Sequence, residues 1–157
     1  ELGPVDSGDV LAEVLRMIDV PAGCQVVAAT PLPVIQFDRD HLLKILMNLV
    51  GNAVQHAAGP DTRVEIAAEV RADEVAFWVR DNGPGIDPQH HQRVFRMFER
   101  LPEARGDSTG VGLAIVRMLV ERHGGRVTID SELGRGAAFC FTVPNSPIGA
   151  APQGTRS

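Results

Sequence analysis

The sequence predicts an α+β fold, a two-layer sandwich in which three main helices cover one face of a mixed, mostly antiparallel sheet. Two observations favour this class. Apolar residues recur at helical spacing in three segments, and short strand-like segments lie between and after those segments. Because the strands and helices are intermixed and separated by turns rich in glycine and proline, we expect a single sheet covered by helices.

The first half of the chain contains two predicted helices and two short strands. The first helix runs from Ser7, a plausible N-cap, to Ile18, and Pro21 and Gly23 end it. Short strands are expected at 25–29 and 33–37. The second helix is expected at 40–57, with Asp38 or Asp40 as its cap.

The second half begins with a predicted hairpin, because only a short polar link of four residues separates the strand-like segments 63–70 and 75–80. A short helix is expected at 89–98 and a strongly amphipathic one at 111–123, which Gly124-Gly125 ends. Two final strands are expected at 126–130 and 138–143.

Length and composition exclude several classes of function. The chain has 157 residues, of which 44% are hydrophobic, which suits one domain. We expect residues 1–6 to be disordered or a linker, 7–144 to form the domain and 145–157 to be a flexible tail. The net charge of −5 argues against nucleic-acid binding. Two cysteines and the lack of a long apolar run predict a cytoplasmic domain without membrane contact, although a longer parent protein can carry a membrane anchor.

A polar stripe interrupts the otherwise apolar helix at 40–57. Five polar residues recur at intervals of three or four, which places them on one helix face: His41, Lys44, Asn48, Asn52 and Gln55. Buried asparagine amides need hydrogen-bond partners. Structural bonds to neighbouring backbone are one interpretation, and a magnesium site, for which a carboxamide oxygen is a suitable ligand, is the other.

Two glycine-containing motifs suggest a nucleotide site. Asp81-Asn82-Gly83-Pro84-Gly85 follows a strand, where the carboxylate can accept a bond from an exocyclic amine, although the same residues also suit a plain turn. Gly110 and Gly112 open the helix at 111–123, and a helix N-terminus attracts phosphate. A dinucleotide-binding fingerprint is excluded, because a charged segment precedes these glycines instead of a strand.

Together and in this order, the motifs resemble the catalytic, ATP-binding domain of bacterial sensor histidine kinases. This domain belongs to a superfamily that also contains gyrases, heat-shock chaperones and mismatch-repair ATPases. The resemblance covers residues 7–144, and it rests on an N-box, a G1 box, an F-box, a G2 box and a closing strand, which read DHLLKILMNLVGNA (40–53), DNGPG (81–85), VFRMFER (94–100), STGVGLA (108–114) and GRGAAF (134–139).

The resemblance implies a Bergerat-type ATP-binding fold and roles for individual residues. Asn52 is expected to hold Mg²⁺ against the triphosphate, and Asp81 to receive the adenine amine. Catalytic roles are expected for Asn48, Asn52 and Arg100. The whole set expected to bind ATP is Asn48, Asn52, Gln55, His56, Asp81, Gly83, Gly85, Ile86, Arg100, Arg105, Thr109, Gly110, Val111, Gly112 and Leu113.

Three positions qualify the resemblance. Gln55 and His56 stand where the family often has lysine and an aromatic residue, so one phosphate contact is missing. Superfamily ATPases carry a glutamate four residues before the magnesium asparagine, where this chain has Asn48. Because an amide cannot act as a general base, we expect slow ATP hydrolysis.

The resemblance also implies partners outside this chain. None of the histidines stands in the sequence context of a phosphate acceptor. The acceptor is therefore expected on the dimerisation and histidine-phosphotransfer domain of the full-length protein, a homodimer that also recognises a response regulator. Two alternatives stay open, namely an ATPase or serine/threonine kinase of the same superfamily, and a non-enzymatic module that binds nucleotide or only a protein partner.

Overall fold

The computed structural model describes residues 2–56, 61–82, 109–131 and 137–145. The predicted helix at 89–98 and most of the predicted tail lie outside these residues. In chain order the described elements are β1 (Gly3–Asp6), α1 (Ser7–Met17), β2 (Cys24–Ala28), β3 (Val34–Phe37), α2 (Arg39–His56), β4 (Thr62–Val70), β5 (Glu74–Asp81), α3 (Thr109–Arg122), β6 (Val127–Ser131) and β7 (Ala137–Pro144).

Within the described ranges, five strands form the main sheet in the order β2-β4-β5-β7-β6. The β2–β4 pair is parallel, and the other three pairs are antiparallel. The predicted mixed, mostly antiparallel sheet is therefore confirmed. The β4–β5 hairpin is also confirmed, with Val70 opposite Val75 at its closed end.

The helices form the second layer of the sandwich, as predicted. The central helix α2 packs against β5 and contacts both α1 and α3. Alternate residues of β5 face this layer, and the Phe77 ring stacks on Phe141 of β7 with 4.9 Å between ring centroids. The apolar stripe of α2 is fully buried in the same core, which explains why this segment forms one long helix.

A second sheet corrects the expectation for residues 1–6. Residues Gly3–Asp6 are not a linker but form β1, which pairs antiparallel with β3 so that Val5 lies opposite Ile35. Both side chains are buried in the core. Local pattern could not indicate this strand, because a strand of four residues has no periodicity to recognise and its partner lies far along the chain.

The N-cap of α1 differs from the predicted residue, whereas that of α2 is one of the two predicted residues. Asp6 is the N-cap of α1, not Ser7, since its carboxylate accepts from the backbone N–H groups of Gly8 at 2.9 Å and Asp9 at 3.2 Å. The buried Ser7 hydroxyl donates to the Pro33 carbonyl instead. For α2, the cap is Asp38, whose Oδ1 accepts from the His41 N–H at 3.1 Å.

The end of α3 follows the prediction. Gly124 adopts a φ of +89°, a left-handed conformation that favours glycine, and the Gly125 N–H donates to the Val120 carbonyl at 3.0 Å. The chain then enters β6. Among the described residues, no helix has the length and apolarity needed to cross a lipid bilayer.

Candidate functional site

Asn52 is the most unusual polar residue of the helical layer. It lies on α2 with only 5% of its surface exposed. Its Oδ1 and Nδ2 atoms are buried and have no hydrogen-bond partner among the described residues. An unpaired buried amide costs about 1–3 kcal/mol. Within the described part of the chain, the core thus holds an unsatisfied carboxamide, which is typical of a group that binds a ligand.

Asn48, one turn earlier on α2, is in a different state. Its Nδ2 donates to the Lys44 carbonyl of the same helix at 2.8 Å, and its side chain is half-buried. Of the two interpretations of the polar stripe, hydrogen bonding to neighbouring backbone therefore describes the Nδ2 group of Asn48, but not Asn52. This bond orients the Asn48 carboxamide, which has no group able to accept a proton from water.

Asp81 is the last residue of β5 rather than a loop residue. It lies opposite Val64 on β4 and Ala137 on β7, and it is 4% exposed. By the alternation of the strand, it shares the inner face with Val79 and Phe77. Because α2 packs against β5, the Asp81 side chain lies on the face of the sheet that the helix of Asn52 covers.

The N-terminus of α3 supplies a third component. The helix begins at Thr109, so Thr109, Gly110, Val111 and Gly112 form its first turn. The first four N–H groups of an α-helix lack partners within the helix, and the helix dipole is positive there. Since α3 packs against α2, these N–H groups belong to a helix that neighbours the helix of Asn52. The Leu113 side chain, only 2% exposed, is part of the core.

The remaining predicted residues divide into two groups. Gln55 is exposed at the end of α2, so it is available to a ligand. The others lie outside the described residues, or their side chains do: Gly83, Gly85, Ile86, Arg100, Arg105 and the side chain of His56. Within the described part of the chain, histidine, cysteine and carboxylate side chains form no cluster of three that can hold a metal ion.

Asn82, directly after Asp81, makes three hydrogen bonds that the sequence did not predict. Its Oδ1 accepts from the Arg63 N–H at 2.9 Å, its Nδ2 donates to the Asp61 carbonyl at 3.2 Å, and its backbone N–H donates to the Arg63 carbonyl at 3.3 Å. The only local signal was the tendency of asparagine to bond backbone at turns. Asn82 fastens the end of β5 to the start of β4.

An open groove of about 530 Å³ lies beside Asn82, between the starts of β2 and β4. Neither Asn52 nor Asp81 lines it. We therefore distinguish it from the candidate site on α2, at the end of β5 and at the start of α3.

Comparison with known proteins identifies the family. Residues 37–147 match the family described as histidine kinase-, DNA gyrase B- and HSP90-like ATPase. The chain belongs to this family. Asn52, Asp81 and the start of α3 all lie within the matched residues, so the three components of the site lie within the family's own domain.

Among two curated relatives and two solved structures, one of each is named as a histidine kinase. Cyanobacterial phytochrome A of Nostoc sp. is 43% identical over 117 residues, which are 73% of this chain and 15% of that protein. The methanogenesis regulatory histidine kinase FilI of Methanothrix harundinacea is 40% identical over 124 residues, which are 78% of this chain and 14% of that protein. The chain therefore spans about one seventh of the length of these relatives.

The structural comparisons give the same result. The mycobacterial sensor histidine kinase MprB aligns with a TM-score of 0.80 and 26% identity, over 94% of this chain and all of that chain. Full-length ShkA in complex with AMPPNP aligns with a TM-score of 0.77 and 36% identity, over 98% of this chain and 34% of that chain. This chain is thus a histidine-kinase-type ATPase domain, homologous to the catalytic domains of sensor histidine kinases.

Proposed function

We propose that this chain binds ATP together with Mg²⁺ and transfers the γ-phosphate to a histidine on a separate dimerisation domain of the same full-length protein. The observation that carries the proposal is the buried carboxamide of Asn52 on α2, which has no partner among the described residues. The similar ShkA structure, a complex with the ATP analogue AMPPNP, supports the nucleotide class. We further propose a cytoplasmic location for the domain.

The donor set suits Mg²⁺. Magnesium prefers oxygen ligands and binds proteins through a few of them, with water and substrate phosphates completing its shell. The Asn52 Oδ1 is a suitable oxygen, and it needs a partner. When bound there, Mg²⁺ would neutralise charge that develops on the phosphates during transfer.

The other residues bind and orient the nucleotide. The Asp81 carboxylate accepts a hydrogen bond from the adenine amine at the buried end of β5. The free N–H groups at the start of α3 donate to phosphate oxygens, with support from the helix dipole. Arg100 and Arg105 are proposed as cations for the phosphates, and Gly83, Gly85 and Ile86 as residues that pass close to the nucleotide.

The chemical step is an in-line phosphoryl transfer. An imidazole nitrogen of the acceptor histidine forms a bond to the γ-phosphorus, the bond to the β–γ bridging oxygen breaks, and ADP leaves. Positioning and electrostatic stabilisation supply the catalysis. Asn48 has no basic group that could activate water, which supports transfer to histidine over hydrolysis. The implied partners are the phosphotransfer domain within a homodimer and, downstream, a response regulator.

Two assays test the proposal. Calorimetry with a non-hydrolysable ATP analogue, with and without Mg²⁺, should give magnesium-dependent binding by this chain. With labelled ATP, the chain alone should retain no label, and addition of the purified dimerisation domain of the same full-length protein should produce a labelled histidine. Label on this chain alone would show that the acceptor was wrongly assigned. No binding at millimolar analogue would instead favour a non-enzymatic module.

A further inference from the structure

The three hydrogen bonds of Asn82 end the β4–β5 pairing in an unusual way. In an antiparallel ladder, every second pair of facing residues exchanges both backbone N–H···O=C bonds. Arg63 and Asn82 follow the pair Val64–Asp81 in the register. The Asn82 N–H donates to the Arg63 carbonyl as expected, but the Arg63 N–H donates to the side-chain Oδ1 of Asn82. The carboxamide thus replaces the backbone carbonyl.

The other end of the same carboxamide holds the preceding turn. Its Nδ2 donates to the carbonyl of Asp61, which adopts a φ of +60° just before β4 begins. A left-handed conformation is uncommon for a residue with a side chain. The orientation of the amide is unambiguous, because an N–H donor requires the oxygen on one side and a carbonyl requires the nitrogen on the other.

The position of these bonds relates them to Asp81. Asp81 is the last paired residue of β5, and its carboxylate is buried on the inner face of the sheet. Asp81 is paired with Val64 of β4 and with Ala137 of β7, and the bonds between Asn82 and Arg63 directly follow the last β4–β5 pair. Without the Asn82 carboxamide, the β4 side of this strand end would lose bonds, and strand ends fray when their bonds are few. A short displacement of Asp81 would misplace the acceptor for an exocyclic amine.

We propose that Asn82 is a positioning residue for Asp81. By holding Asp81 in place, Asn82 sets how strongly the site discriminates purines by their 6-amino group. The inference rests on the proposed function, in which Asp81 binds adenine. The Asn82 residue is exposed, and its carboxamide is bonded to the backbone of Arg63 and Asp61. Its effect is therefore on discrimination between nucleotides rather than on the affinity for phosphate.

The chain offers a matched control at the opposite end of the same sheet. Asn145 follows β7, and its Nδ2 donates to the Arg71 carbonyl at 2.6 Å while its N–H donates to the Asp73 carbonyl. It fastens a strand end in the same manner, next to the closed end of the β4–β5 hairpin and far from Asp81 in the register. Asn145→Ala therefore reports the cost of losing such a bond without an effect on the site.

The experiment measures dissociation constants for ATP and for purine riboside triphosphate, which lacks the 6-amino group, with Mg²⁺ present. The wild type and Asn145→Ala should prefer ATP to the same degree. Asn82→Ala should reduce this preference at least threefold. Asn82→Asp keeps the acceptor for the Arg63 N–H but loses the donor to the Asp61 carbonyl, so it should restore part of the preference, even if its added charge weakens both triphosphates equally. A preference that is unchanged in Asn82→Ala overturns the proposal.

A second measurement separates this proposal from the proposed function. The carboxyl-carbon resonance of Asp81 in the nucleotide-free protein should move in Asn82→Ala and stay in place in Asn145→Ala. If the wild type binds neither triphosphate, the proposed function fails, and the positioning role of Asn82 is then judged from this resonance alone. A resonance that does not move in Asn82→Ala overturns the positioning role, and a shift specific to that variant supports it.

Discussion

His41 Nδ1 and His123 Nε2 lie 2.8 Å apart, a contact that joins the first turn of α2 to the residue directly after α3. The His123 ring also stacks on Phe37 with 4.0 Å between ring centroids. A hydrogen bond between two imidazoles requires one ring to donate and the other, neutral, to accept. The pair therefore joins the two helices that carry Asn52 and the proposed phosphate site.

The first prediction concerns acid stability. Burial, and next the proximity of His41 and Arg122, lowers the pKa of His123 below its ordinary value of 6.5, while Asp38 acts in the opposite sense. A depressed pKa favours the neutral ring in the folded state, so this stability is present above pH 6.5 and is lost as the pH falls through the folded-state pKa. We expect the free energy of unfolding, measured with urea, to fall between about pH 7.5 and 5.5, and to fall less in His123→Gln. Identical pH slopes in both proteins would contradict this.

The second prediction concerns the turn after α3. A Cβ at Gly125 would lie 1.8 Å from the Thr142 backbone oxygen, which has no freedom to move aside. We expect Gly125→Ala to lower the free energy of unfolding by at least about 1–3 kcal/mol, the range for overpacking. Gly51→Ala is the control, because a Cβ at that position in α2 meets nothing within 4 Å. It should instead stabilise by about 0.5–1 kcal/mol. Denaturant titration of both variants measures the difference.

The third prediction concerns the adenine acceptor. Asp81→Ala removes a charge-assisted hydrogen bond worth about 1.5–3 kcal/mol, so affinity for an ATP analogue should fall by about one to two orders of magnitude. Asp73→Ala, which removes an exposed carboxylate at the opposite end of the sheet, is the control. Calorimetry that gives equal affinities for Asp81→Ala and the control would exclude Asp81 from the site.

The fourth prediction concerns hydrolysis. Asn48→Glu places a carboxylate four residues before Asn52, where a general base typically contributes about 10²- to 10⁴-fold. We expect the steady-state release of phosphate to rise at least about tenfold above the wild type. Asn48→Gln has a similar length but no base, so it should stay at the wild-type rate. Rapid hydrolysis by the wild type, abolished in Asn48→Gln, would revive the ATPase alternative.

Much of the fold could be predicted because its signals are local. The helix α2 and the β4–β5 hairpin follow from apolar spacing and a short polar link, and both lie close to their predicted bounds. The cap of α1 could not be assigned, since Asp6 and Ser7 are both good caps. Only the distant Pro33 carbonyl, which binds the Ser7 hydroxyl, decides between them.

The candidate site also rests in part on local signals. The spacing of the polar stripe placed Asn52 on the face of a buried helix, and its lack of a partner among the described residues agrees with the ligand interpretation. The same spacing gave no reason to distinguish Asn48 from Asn52, although Asn48 makes a hydrogen bond within its own helix. The proposed role of Asn82 depends on its bonds to Arg63 and Asp61, which are distant from it in the sequence.

The most direct test of the proposed function is the magnesium dependence of ATP-analogue affinity in the wild type and in Asn52→Leu. Leucine is similar in size and removes both buried polar atoms, so the nucleotide-free variant should be more stable by about 1 kcal/mol or more. Magnesium should strengthen binding in the wild type and have no effect in the variant. Equal strengthening by magnesium in both proteins would contradict the assignment of Asn52 as the residue that holds the metal.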